Sequence, residues 1–316
     1  MTQLDALKSP RFGQIATFAR LPHTKSLEGV HVAFVGIPFD DAVTFKPGAR
    51  LAPQAVRESS RILRPYNAAL DVKPFDALNV VDYGDIDIVP GYIEDSFARI
   101  EAGIDLLSDN GVVPLVCGGD HSVTLPVLRS LADRFGELSL IHVDAHSDCW
   151  TEYWGRKYTN GTTFRRSLEE GLIDPRKSIQ IGIRGSLYGR EDLEDVRSLG
   201  FTVVTAEELH ERGVDHALRL VRDTVSGQAY FSFDIDGMDP AYAPGTGTPE
   251  VGGLTSWQAL RLVRGLVDFA FVGFDLVEVS PVFDPAGITS LLAANLLYEF
   301  LSVLAKGRQL QKARSD

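Results

Sequence analysis

The chain alternates between two kinds of apolar pattern, and that alternation limits the folds open to it. Eight short runs read as strands: Val30–Ile37, Leu78–Tyr83, Val112–Cys117, Leu138–Val143, Ser178–Ile183, Phe201–Thr205, Ala229–Phe233 and Phe271–Val277. Between many of them lie helical patterns. The clearest is Tyr92–Leu107, where Ile93, Phe97, Ile100, Ile104 and Leu107 recur at spacings of four and three. Pro53–Leu63, Ser122–Phe135, Val214–Val225 and Ser256–Leu266 follow the same rule, and Ile288–Leu304 is apolar nearly all round, as a buried helix is. Such an order predicts a three-layer α/β/α sandwich around a mostly parallel sheet. No linker or internal repeat divides the chain, so residues 1–316 are expected to form one domain, with 1–9 and 306–316 loosely held.

Composition removes several function classes. A net charge of −12 argues against nucleic acid, whose phosphates need basic excess, and suits a cationic ligand. No apolar run is read as a membrane span, and the N-terminus lacks the basic-then-apolar design of a secretory signal. Cys117 and Cys149 are too few for a disulfide framework, which makes a reducing cytoplasm the expected compartment.

In a parallel sheet, ligands collect beyond the carboxyl ends of the strands. Three short polar segments follow apolar runs there: Gly118-Gly-Asp-His121, Asp144-Ala-His-Ser-Asp148 and Asp234-Ile-Asp236. A lone Asp-x-Asp after a strand is usually a turn or a helix cap. Three such segments at matching strand ends are expected to converge. In extended backbone, Asp144, His146 and Asp148 would share one face. Burying that much charge is costly unless it is compensated, and a pair of divalent cations compensates it. Four aspartates with two histidines exceed the needs of one tetrahedral zinc and suit Mn²⁺, with Ni²⁺ as an alternative. A two-metal site lowers the pKa of a bridging water from ~16 towards ~7 and so supplies a nucleophile at neutral pH. His142 shares the alternation of Asp144 but lies deeper, and reads as a hydrogen-bonded support. His23, His31, His210 and His216 read as surface or structural residues.

Taken together, Cys117-Gly-Gly-Asp-His-Ser122, His142-Val-Asp-Ala-His-Ser-Asp148 and Ser232-Phe-Asp-Ile-Asp-Gly-Met-Asp-Pro240 resemble the three signature blocks of the ureohydrolases, the arginase and agmatinase family. The resemblance continues through Pro47-Gly-Ala-Arg50, Gly182-Ile-Arg184, Ala243–Pro249, Gly252-Gly253-Leu254 and Asp275–Pro281, and so spans most of the chain. The opening Ser9–Gln14 and Arg20–His23 look more like the guanidinobutyrase, guanidinopropionase and proclavaminate amidinohydrolase branch than like arginase itself. The resemblance implies an eight-stranded sheet and two Mn²⁺ ions. One ion would be held by His121, Asp144, Asp148 and Asp234, and the other by His146, Asp144, Asp234 and Asp236. It further implies attack of hydroxide on a guanidinium carbon, with Asp148 passing a proton to the departing amine and Glu278 pairing with the guanidinium. Homo-trimers or homo-hexamers are the assemblies it implies.

Two stretches depart from the family pattern. Where most members carry a histidine, Tyr158-Thr-Asn-Gly-Thr-Thr-Phe164 has Asn160, which exchanges hydrogen bonds but carries no titrating proton. Just beyond Asp148, Trp150, Tyr153 and Trp154 offer aromatic faces to a soft organic cation. Expected substrate contacts are therefore Glu278, Asn160, Trp150, Trp154 and Thr246. Arg156 and Lys157 would instead suit the carboxylate of a guanidino acid. The leading expectation is a binuclear hydrolase that releases an amine and urea from a small cationic guanidino compound. The alternatives are a nickel-dependent hydrolase of N-alkylguanidines or metformin-type biguanides, and a non-catalytic subunit of a heteromeric assembly. A metal-dependent deacetylase of similar fold fits the Glu278 and Gly245–Thr248 blocks less well.

Overall fold

The computed structural model of the protein describes residues 2–315. The strands are β1 Val32–Gly36, β2 Val80–Asp85, β3 Val113–Cys117, β4 Ser139–Val143, β5 Ile179–Ile183, β6 Thr202–Thr205, β7 Gln228–Asp234 and β8 Ala270–Val277. The helices are α1 Ala52–Ser59, α2 Pro74–Ala77, α3 Ile93–Asp109, α4 Thr124–Phe135, α5 Thr163–Glu169, α6 Glu191–Ser198, α7 Ala206–Arg212, α8 Val214–Thr224, α9 Ser256–Arg264 and α10 Ile288–Ser315. All eight expected strands are found. Short α2, α5, α6 and α7 are additions to the expected helices: each has eight residues or fewer, too brief for periodicity to stand out.

Every strand pair is parallel, in the order β2-β1-β3-β8-β7-β4-β5-β6. Two cores cover the two faces of the sheet. One holds Phe97, Ile100 and Ile104 of α3, Leu128 and Leu131 of α4 and Phe164 of α5. The other is aromatic: the Phe300 ring of α10 lies 4.9 Å from that of Phe231 and 5.3 Å from that of Phe274. Contrary to the reading of no span-like run, α10 is long and apolar enough over Ile288–Ala313 to cross a membrane. Its apolar stretch is instead 78% buried inside the fold, as a core helix is. At its C-terminal end α10 continues through Ser315. At the other end of the chain, Gln3 Nε2 donates to the carbonyls of Ala19 and Leu63.

Register is what positions the site. Cys117, Leu276, Phe233 and Val143 form one row across the adjacent strands β3, β8, β7 and β4. Asp234 and Asp144 each lie one residue past that row and Glu278 two past it, so the polar segments leave the sheet side by side at its carboxyl edge.

Candidate metal centre and cavity

His121 reaches the centre through a sharp turn after β3. Gly119 has to be glycine there, since a Cβ would collide with the carbonyl oxygen of Phe39. Asp120 then pins the turn: its Oδ1 accepts from Ser122 N at 2.9 Å and its Oδ2 from Ala42 N at 2.9 Å. Burial is the main reason its pKa rises to about 7.

The imidazole of His121 is fully buried. Its Nδ1 lies 2.9 Å from Asp148 Oδ2, 3.1 Å from Asp234 Oδ2 and 3.2 Å from Asp144 Oδ2. None of these contacts has hydrogen-bond geometry, so Nδ1 is a buried nitrogen ringed by carboxylates without a partner. On the far side of the ring, Nε2 meets Ser232 Oγ at 2.9 Å. Donation from Nε2 to that hydroxyl leaves the Nδ1 lone pair facing the carboxylates.

A second group adjoins the first. His146 Nδ1 lies 3.1 Å from Asp236 Oδ2 and 3.4 Å from Asp144 Oδ1. Asp144 therefore serves both imidazoles, one oxygen to each. Asp234 touches the second group through its Oδ1, which accepts from Asp236 N at 2.8 Å. Asp236 also accepts from Ala145 N at 3.1 Å and from Thr248 Oγ1 at 3.1 Å. His142 is close enough to His121 and Asp144 to complete a donor triangle, but its Nε2 is taken by Asp144 Oδ2 at 2.8 Å, in the supporting position expected.

The route to this convergence differs from the one expected. β4 ends at Val143, so Asp144, His146 and Asp148 do not share a face of an extended strand. The chain bends instead: His146 N donates to Asp144 Oδ1 at 2.6 Å, and Asp148 adopts a left-handed φ of 52°. Glu278 is left-handed as well, at 62°. Such backbone in a non-glycine residue costs about 1–3 kcal/mol and concentrates at functional sites.

Electrostatics test whether these residues suit cations. Burial lowers the pKa of both imidazoles, but Asp148, Asp144 and Asp234 around His121, and Asp236 and Asp144 around His146, outweigh it and raise both well above the usual value. Burial, then Asp236 and Asp144, raises the pKa of Asp234. His121, His146 and Asp234 thus favour added positive charge, while His142, His121 and His146 outweigh burial at Asp144 and hold its pKa well below the usual carboxylate range. Oxygen and imidazole donors around an unpartnered nitrogen fit a pair of divalent cations.

Glu278 lies alongside, 2% exposed. Its Oε1 accepts from His121 N at 2.8 Å and from Asn160 Nδ2 at 3.1 Å. Burial, then the nearby Asp120 carboxyl, raises its pKa to about 8. A cavity of about 650 Å³ opens above, lined by Asp148, Asn160, His146, Trp150 and Trp154, and by Phe45, Tyr153, Tyr188, Thr248 and Glu250. Like Glu278, Thr246 is not in this lining. It is buried, bridges Val279 through its backbone, and so braces the Glu278 segment. Arg156 and Lys157 are exposed and also outside the lining. Ser232, Asp120 and Thr248 went unsingled in the sequence, although Ser232 precedes Asp234 by two residues on the same strand and so carried the signal of alternation.

The sequence profile described as the arginase family matches residues 30–302. Guanidinobutyrase of Pseudomonas aeruginosa is 48% identical over 305 residues, covering 95% of this chain and 96% of that protein. Mitochondrial agmatinase of Gallus gallus is 46% identical, covering 92% of this chain and 86% of that protein. In three dimensions the chain resembles proclavaminate amidino hydrolase of Streptomyces clavuligerus, with a TM-score of 0.90 and 42% identity over 95% of this chain and all of that one.

Proposed function

Because this chain belongs to the arginase family and is a C–N hydrolase of ureohydrolase type, we propose that it hydrolyses a small cationic guanidino compound to an amine and urea. The observation that carries this reading is His121 Nδ1, unpartnered and facing three carboxylates, with the buried carboxyl of Glu278 beside it. His121, Asp144, Asp148 and Asp234 would hold one divalent ion, and His146, Asp144, Asp236 and Asp234 the other. The mixed oxygen and imidazole donors favour Mn²⁺, with Ni²⁺ as the alternative. When bound, such a pair of ions lowers the pKa of water and supplies a hydroxide nucleophile at neutral pH.

The remaining work falls to side chains. Glu278 pairs with the guanidinium, a planar cation suited to a carboxylate. Its raised pKa has the same origin as that pairing: a buried carboxyl beside Asp120 is relieved by a positive partner. Asn160 Nδ2 holds Glu278 Oε1, an orienting task that needs no titrating proton. Asp148 both faces His121 and lines the cavity, so its carboxylate can take a proton from the attacking water and deliver it to the departing nitrogen. The left-handed backbone at Asp148 and Glu278 is conformational cost retained where the chemistry uses it. The proposal includes a homo-trimer or homo-hexamer in the cytoplasm.

The test is a panel of guanidino compounds assayed for urea and amine release with Mn²⁺ and Ni²⁺ in parallel, alongside metal analysis of the purified protein. Turnover with close to two ions per chain is expected. Absence of both metal and turnover would sink the reading and leave the non-catalytic subunit in its place.

A further inference from the structure

Apart from its tyrosines, the charged and titratable groups lining the cavity above the metal centre are two carboxylates and the imidazole of His146. The acidic lining residues are Asp148 and Glu250, and neither lysine nor arginine lines the cavity. Glu250 has no ion pair or side-chain hydrogen bond among the described residues, although its backbone carbonyl accepts from Arg184 Nη2 at 2.7 Å. Basic residues nearby lie outside the lining, although the Arg184 guanidinium is close enough for its charge to act on Glu250. The Arg184 guanidinium also donates to the carbonyls of Val251, Gly182, Gly237, Asp236 and Met238. Arg165 donates to Cys149 O and pairs with Asp195, and Lys46 lies 5.2 Å from the Phe45 ring centre and 5.1 Å from that of Phe283.

The wall is aromatic. Ring centres of Trp150, Tyr153 and Tyr188 stand 6.0, 6.3 and 6.5 Å apart, inclined by 63°, 86° and 60°. Ring faces attract cations and repel anions because their quadrupole is negative at the face. A carboxylate brought to this wall would meet like charge on Glu250 and neither lysine nor arginine in the lining.

Resting on the guanidine-hydrolase reading above, we propose that Glu250 and the Trp150–Tyr153–Tyr188 wall select substrates whose far end is a second cation, an alkylammonium, over those ending in a carboxylate. Selection lies in this wall and is separate from the chemistry at the metal centre.

Agmatine and 4-guanidinobutanoate, of similar length and opposite tail charge, test it. Their kcat/KM values and their calorimetric binding to the metal-loaded protein are compared. Agmatine is expected to be favoured about tenfold or more in both, the scale of a cation–π contact joined to one partly exposed charge pair. Glu250→Gln narrows that ratio, and Glu250→Lys reverses it. Tyr188→Ala, at a side chain that is 80% exposed and so tolerant of change, narrows it independently. Equal or better use of 4-guanidinobutanoate overturns the proposal, as does a ratio that none of the three substitutions moves. Selective binding of agmatine without hydrolysis of either compound overturns the catalytic reading and leaves this one standing. If neither compound binds, both fall.

Discussion

Beneath the residues that line the cavity, Asp144, Asp234 and Glu278 form a floor: they leave neighbouring strands at registered positions and are at most 3% exposed. The wall above, around residues 150–154 and 186–188, is loop, with Trp154 at 74% and Tyr188 at 80% exposure. Floor residues are held by backbone N–H groups and by one another, so a shift in one disturbs several. Wall residues touch chiefly other rings. The floor therefore has little freedom to vary without losing its chemistry, while the wall can change partners and keep the fold. Substitutions should separate the two: floor changes act on the rate, and wall changes act on binding.

Asp148→Asn should give the largest effect. The amide keeps the shape of the carboxylate but accepts no proton, so kcat should fall by about 10²–10⁴, the range for lost general acid–base catalysis. Circular dichroism should be unchanged and metal content only modestly reduced. A wild-type rate of urea release would remove Asp148 from the mechanism. Glu278→Gln comes next. It leaves the buried N–H of His121 an oxygen to donate to, but removes the charge facing the substrate. A charged hydrogen bond is worth about 1.5–3 kcal/mol, so kcat/KM should fall by roughly 10–150-fold. An unchanged kcat/KM would contradict guanidinium pairing at this position.

Trp150→Ala probes the wall. Here kcat should hold within about threefold while KM rises roughly 2–30-fold, as loss of an aromatic contact with a cation predicts. A fall in kcat with unchanged KM would show that Trp150 supports the floor instead. Its Nε1 is buried without a partner, so its ring is the part available to a ligand.

The contrast between floor and wall also explains what could be read from the sequence. Strands announce themselves by apolar runs bounded by turn residues, and all eight are found, with ends displaced by at most two residues, as at β1, which begins at Val32 against an expected Val30. His121, Asp144, His146, Asp148, Asp234 and Asp236 stood out because polar clusters at strand ends are chemically conspicuous. The bend that joins them did not. It depends on Ala145 N donating to Asp236 Oδ1 and on Arg184 N donating to Ala145 O, contacts that cross between strands distant in sequence. Glu250 was invisible for a related reason: a glutamate in a loop looks solvated until the fold sets it in a cavity wall. Thr246 stands out only by motif position, and the fold adds what sequence does not show: its backbone pairs with Val279 while its hydroxyl stays unpartnered.

Asn160 lies on the boundary between the two regions, and its replacement should have the smallest effect. Its N–H donates to Ala42 O at 2.9 Å, its Nδ2 reaches Glu278, and its side chain also lines the cavity. Asn160→His keeps a donor towards Glu278 and adds a group that titrates near pH 6.5. Well above that pH, kcat/KM should stay within about fivefold of the unchanged protein, because a neutral imidazole can still orient the carboxylate. Below it, a new limb should enter the pH–rate profile as the ring gains its proton. If the profile and the substrate preference both stay as they were, position 160 serves only to hold Glu278, and the departure from the family's histidine carries no consequence for the reaction.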